Sequence, residues 1–268
     1  MPQKKKYVYG KGMPLYFLSI VFAVISVLLQ AITVLFCYDP SMKVYKHGSA
    51  LGTVSGVIIF IFVLAFSVMS IYVMGNLRKL KSLPPTSAVN AFISSSAGGF
   101  ACLSSVLMWI QTRGIGGNVS TVSAAMMVLS VPAAAYFILS SLKSTRQSLL
   151  YGFGFFPVLW AASCLLRVYF DTGVAINDPV RVLFQVSFAA IMLTLLFELR
   201  TRLGKKGMPV YVALSGVSVI LGLPSAVSML ILFAIPKTVS AAELLLCITQ
   251  LLLCFHILTR LHTNLKYV

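Results

Sequence analysis

The stretch MPLYFLSIVFAVISVLLQAITVLFC, residues 13–37, carries no charged side chain and follows Lys4, Lys5, Lys6 and Lys11. A helix rises 1.5 Å per residue, so this run exceeds the roughly 30 Å of hydrocarbon in a bilayer. Backbone groups in lipid must pair within their own segment, which makes helix the form it takes. A basic start before an apolar run also marks secretory signals. This run is too long for one, however, and no small-x-small cleavage site follows it. Leu35 and Phe36 are too bulky to precede a lipoprotein cysteine at Cys37. It is a first membrane span.

Seven further apolar runs follow, near 50–75, 88–110, 119–142, 149–170, 178–199, 209–235 and 240–260. Hydrophobic residues make up 59% of the chain and charged residues 10%, against about a quarter charged in soluble domains. The connections are short. The expected fold is therefore an all-α membrane protein with eight transmembrane helices in one polytopic domain, residues 1–268, without a soluble domain. Successive spans would pair as helical hairpins over about 13–75, 88–142, 149–199 and 209–260.

Lys and Arg set the orientation. Fifteen of the 21 fall in the tails and alternate gaps, among them Arg78, Lys79, Lys81, Lys143, Arg146, Arg200, Arg202, Lys205, Lys206, Arg260 and Lys266. The opposite gaps hold Lys43, Lys46, Arg113, Arg167, Arg181 and Lys237. The positive-inside rule then places both termini in the cytoplasm. The net charge of +16 follows from this topology and from attraction to anionic lipids at the cytoplasmic face. It needs no nucleic acid. The partners expected are the bilayer and those lipids, with a membrane-protein partner or a second copy of the chain left open.

Short strings recur. Thr53-Val54-Ser55, Thr121-Val122-Ser123 and Thr238-Val239-Ser240 open the second, fourth and eighth spans, and Asp178-Pro179-Val180 opens the sixth. Thr and Asp are N-cap residues, and Pro179 suits a first helical position. Lys11-Gly12-Met13-Pro14-Leu15-Tyr16 is echoed by Lys206-Gly207-Met208-Pro209-Val210-Tyr211. These echoes favour four related hairpins over coincidence of caps. Gly48, Gly52 and Gly56 form a four-spaced ridge, and Gly98-Gly99 a second small surface, of the kind that lets helices approach closely in lipid. Pro132, Pro157 and Pro224 are expected to kink their spans.

Polar residues at membrane depth are costly and so carry the functional information. On the fifth span Trp160, Cys164, Arg167 and Asp171 share one helical face. Asp178, Arg181 and Gln185 share one on the sixth, and Glu243, Cys247, Gln250 and Cys254 one on the eighth. All three stripes start at the lysine-poor end, so they are expected to converge there, with Arg167 beside Asp171, Asp178 or Glu243. Two readings stand, a structural latch between three helices and a solute- or ion-binding vestibule. Glu198 and Arg202, at i, i+4, read as a local surface pair, and His256 as a packed or interfacial histidine. Trp109, Trp160, Tyr169 and Tyr38 suit an aromatic belt.

Catalysis finds no support. There is no G-x-x-x-x-G-K-[ST] and no H-E-x-x-H, and the five cysteines, with no C-x-x-C pair among them, read as packing residues. No metal ligand set, cofactor site or nucleophile–base pair can be assembled. The stretch 156–202, with Leu159-Trp160, Arg167-Val168-Tyr169-Phe170-Asp171, Asp178-Pro179-Val180-Arg181, Gln185 and Leu196-Phe197-Glu198, resembles a pattern in uncharacterised eight-span membrane proteins of Gram-positive bacteria. That resemblance implies a bacterial cytoplasmic membrane and no activity. A small transporter or permease-like protein is the leading functional expectation. The alternative is a non-catalytic sensor, regulatory or assembly subunit acting through a partner.

Overall fold

The computed structural model describes residues 12–39, 44–46, 50–76, 87–142, 147–171, 178–205, 207–235 and 239–266. Lys4, Lys5, Lys6, Lys11, Lys43, Gly48, Arg78, Lys79, Lys81, Lys143, Arg146, Lys206, Lys237 and Thr238 lie outside them. The helices are α1 (Met13–Cys37), α2 (Ala50–Asn76), α3 (Ala88–Thr112), α4 (Gly117–Ser141), α5 (Gln147–Phe153), α6 (Phe156–Phe170), α7 (Pro179–Arg202), α8 (Met208–Phe233) and α9 (Ala241–Lys266). Eight segments are long and apolar enough to cross a membrane, the fifth running Leu149–Phe170 through α5 and α6. The chain is a multi-pass helical membrane protein. Between α1 and α2, strands β1 (Tyr38–Asp39) and β2 (Val44–Tyr45) pair antiparallel, with Tyr38 opposite Tyr45, a feature the helical pattern does not announce.

α3, α4, α6, α7, α8 and α9 touch in a closed ring in that order, and α1 and α2 pack outside it against α8. The members of each expected hairpin are in contact: α1 with α2, α3 with α4, α6 with α7 and α8 with α9. The distribution of side chains is that of a protein in lipid. Phe17, Phe36, Phe60, Tyr72 and Phe92 are exposed, while Ser19, Ser26, Ser104, Ser105, Ser187, Ser215 and Ser218 are buried. Lipid tails are as apolar as leucine, so helices associate through close packing of small residues and through interhelical hydrogen bonds. Ser94 Oγ donates to Phe137 O across α3–α4 (3.0 Å). Thr194 and Ser218 hydroxyls meet across α7–α8 (2.7 Å), and Trp160 Nε1 donates to Ser105 Oγ across α6–α3 (3.0 Å). Trp160 is fully buried, so it is a core tie and not a belt residue.

Several local expectations change. α2 begins at Ala50 and α4 at Gly117, so Thr53 and Thr121 lie within helices and do not cap them. The unpaired first-turn N–H groups are already upstream, and Thr121 Oγ1 turns back to Gly117 O (3.2 Å). Gly116 and Gly117 hold φ of 72° and 70°, a region glycine enters without penalty. At Gly98 an added Cβ would lie 3.1 Å from Ala134 Cα, so this glycine does permit a close helix crossing. Gly52 instead faces the Tyr45 ring, and a Cβ at Gly56 or Gly99 would meet nothing within 4 Å. Of the three prolines, Pro132 and Pro224 sit inside uninterrupted helices. Pro157 stands at the start of α6, just past the break at Gly154-Phe155. A first-turn proline loses no hydrogen bond, so the span interrupts there at little cost.

Candidate functional site

The inward face of α6 carries Trp160, Cys164 and Arg167, all buried. Arg167 reaches a cavity of about 90 Å³ whose lining also includes Tyr38, Asp171, Asp178, Arg181 and Glu243. All five charged residues of the three expected stripes thus share one site, at the end of the bundle where α6 stops and α7 and α9 start. Gln185 is partly buried and does not line the cavity. Gln250 lies deeper and ties three helices, its Nε2 donating to Ser187 Oγ (2.7 Å) and to Gly222 O (3.2 Å).

Helix termini claim most of the charges. Asp178 accepts from Val180 N (2.9 Å) as the cap of α7 and from the Tyr38 hydroxyl (3.2 Å). Ser240 and Glu243 form a capping box at α9: Ser240 N donates to Glu243 Oε2 (2.8 Å) and Glu243 N to Ser240 Oγ (3.3 Å). This is the S-x-x-E signature satisfying two free donors at once. Arg181 donates to Val168 O and to Tyr169 O (3.0 Å), the free carbonyls at the end of α6. No ion pair of 4.0 Å or less joins Arg167 to Asp171, Asp178 or Glu243 among the described residues. Its Nε lacks a hydrogen-bond partner there, although Arg167 is only 7% exposed. Tyr38, placed in the aromatic belt by its position, is a wall of this cavity. Burial first, and then the Asp178 carboxylate, push its hydroxyl above the ordinary tyrosine value, so it remains a neutral donor to Asp178.

The second polar centre is one that sequence reasoning missed. Glu198 on α7 is 1% exposed, so it is no surface group. Its Oε1 accepts from Arg202 Nη2 at 2.8 Å and Arg202 Nε at 3.2 Å, and from Arg260 Nη2 on α9 at 3.4 Å. His256 Nε2 lies 3.8 Å from Glu198 Oε2. Arg260 and His256 are each 1% exposed. The local pair is therefore one arm of a buried network linking α7 to α9. Arg260, counted among the loop charges, is inside the fold because α9 continues to Lys266. The Arg202 guanidinium also sits 5.9 Å from the Tyr136 ring on α4, and the His256 ring meets Phe137 edge-on at 5.8 Å. A usable signal existed in the sequence: His256, Arg260 and Asn264 recur every four residues, so they share one face of an apolar helix.

Among the described residues no three His, Cys, Asp or Glu side chains converge as metal ligands. The cysteines are free thiols, and Cys247 donates to Ala226 O (3.0 Å) between α9 and α8. No protein-family model, curated protein or solved structure matches this chain, and the two polar centres stand on their own geometry.

Proposed function

We propose that the protein is a small transporter or permease-like protein of a bacterial cytoplasmic membrane, with both termini in the cytoplasm, whose Arg167 cavity faces outward and binds a small polar ligand group. The excess of Lys and Arg on one side supports the orientation. Arg167 carries the functional reading. Its side chain lines a cavity that a ligand's acceptor group can enter, and among the described residues no carboxylate lies within 4.0 Å to pair with its guanidinium. At about 90 Å³ the cavity has room for a few waters, which suits a small polar group rather than a large solute. Asp171 and Glu243 on the same wall favour a ligand that also carries a donor. The Glu198 network, by contrast, holds α7 to α9 near the cytoplasmic end and is structural.

The test is thermal stabilisation of the detergent-purified protein by glycine, acetate and inorganic phosphate, each titrated alone. A ligand at a hundred times its Kd stabilises by about 2.7 kcal/mol. Stabilisation by at least one probe, abolished in Arg167→Ala, is expected. A wild-type response to none of them, or one unchanged by the substitution, would overturn the assignment.

A further inference from the structure

The charges around the Arg167 cavity say more about its ligand than the volume does. Two arginines, Arg167 and Arg181, share the lining with three carboxylates, Asp171, Asp178 and Glu243. One negative charge is in excess. Three of the five groups stand where a helix end favours their sign. Asp178 caps α7 and Glu243 caps α9 through Oε2, each at the positive end of a helix dipole. Arg181 lies on the last carbonyls of α6, at a negative end.

Arg167 and Asp171 are the exceptions. They stand at i and i+4 on α6, the spacing at which opposite charges meet on a helix. No ion pair of 4.0 Å or less joins them. Arg167 is buried one turn inside the helix, whereas Asp171 is half-buried at its C-cap. A carboxylate at a helix C-terminus meets the negative end of the dipole, so a cation beside it is favoured. Glu243, also half-buried, lines the same cavity. The cavity thus presents a guanidinium inside and two carboxylates on its more exposed side.

Three ligand chemistries can be weighed against that arrangement. An anion alone would answer Arg167 but raise the excess of negative charge to two. A cation alone would cancel the excess and leave Arg167 without a carboxylate. A molecule carrying both charges answers both ends and adds no net charge. With room for only a few waters in about 90 Å³, its two charges must lie a few bonds apart.

We propose that the cavity binds a short zwitterion, of the kind a free amino acid is, with its carboxylate at Arg167 and its ammonium toward Asp171 and Glu243. This rests on reading the cavity as a ligand site and names the ligand class and its orientation. Arg167 donates to the carboxylate, and the ammonium donates to the two acids.

The test compares glycine, acetate and methylammonium, which carry both charges, the anion alone and the cation alone. Each is titrated at constant ionic strength against the thermal stability of the detergent-purified protein. One hydrogen bond to a charged group is a factor of about ten to a hundred in affinity. Glycine should therefore reach half its effect at a concentration lower by that factor than either of the others. Asp171→Asn with Glu243→Gln removes the two acids, and Gln can still close a capping box. In that double variant glycine should lose its advantage while acetate binds at least as tightly as before. Equal half-effects for glycine and acetate, or a glycine advantage that survives the double variant, would overturn the zwitterion and leave the cavity reading standing. A stronger response to methylammonium than to glycine would overturn the part given to Arg167. Silence from all three would overturn the cavity reading as well, so the two fail separately. The wild-type comparison decides even where the double variant is too unstable to titrate.

Discussion

Replacing Glu198 by alanine removes the carboxylate that faces Arg202, Arg260 and His256. The consequences for the two arginines differ because their burial differs. The Arg202 side chain is 13% exposed at the end of α7, and its long stem can carry the guanidinium to the interface. Arg260 is 1% exposed and has no such route without moving α9. Removing one partner of a buried pair leaves an uncompensated charge at about 3–5 kcal/mol, and Glu198→Ala is expected in that range. Arg260→Met leaves Glu198 with both Arg202 hydrogen bonds and should cost less, about 1–3 kcal/mol. The double variant removes both buried charges, so it should fall short of the sum of the singles by roughly 0.5–3 kcal/mol. Equilibrium unfolding of the detergent-solubilised protein, followed by the fluorescence of Trp109 and Trp160, measures all three. A Glu198→Ala loss within about 0.5 kcal/mol, the size expected for a surface change, would refute the buried network, as would strict additivity.

Three substitutions test the packing and the cavity wall. Gly98→Leu should force α3 from α4, because the new Cβ would lie 3.1 Å from Ala134 Cα, whereas a Cβ at Gly99 meets nothing within 4 Å, so Gly99→Leu should be nearly neutral; unfolding free energies should separate the neighbouring variants by about 1–3 kcal/mol. Tyr38→Phe removes one hydrogen bond to a capping carboxylate and should cost about 1–3 kcal/mol in the same unfolding assay. Because the folded state raises the Tyr38 value above the ordinary 10.0, the wild-type advantage should be intact below that pH. It should shrink as pH rises through the folded-state value, and an advantage that grows with alkalinity would contradict the Asp178 contact.

The spans were legible because length and apolarity alone decide whether a helix crosses a bilayer, and no tertiary contact competes with that. The placement of Arg167, Asp171, Asp178, Arg181 and Glu243 around one cavity was legible as well, since three helical faces began at matched depth. Their pairing was not. Cap geometry takes Asp178 and Glu243 before either reaches Arg167, and the carbonyl end of α6 takes Arg181. The box Ser240-Ala241-Ala242-Glu243 is written in the sequence, two residues beyond the Thr238 expected to open the span. Glu198 was misjudged because it stands 62 residues from Arg260 and one turn from a helix end, where a charge ordinarily faces water. Only the extension of α9 to Lys266 brings Arg260 inside.

The orientation of the two polar centres is the claim on which the functional account turns. Single cysteines at Lys46, Arg113, Lys237 and Arg146, each in a cysteine-free version, can be exposed to an impermeant maleimide on intact cells. Labelling at Lys46, Arg113 and Lys237, with Arg146 reacting only after lysis, is the predicted result and puts the Arg167 cavity outside and the Glu198 network inside. Labelling at Arg146 on intact cells, with Lys46 protected, would contradict it.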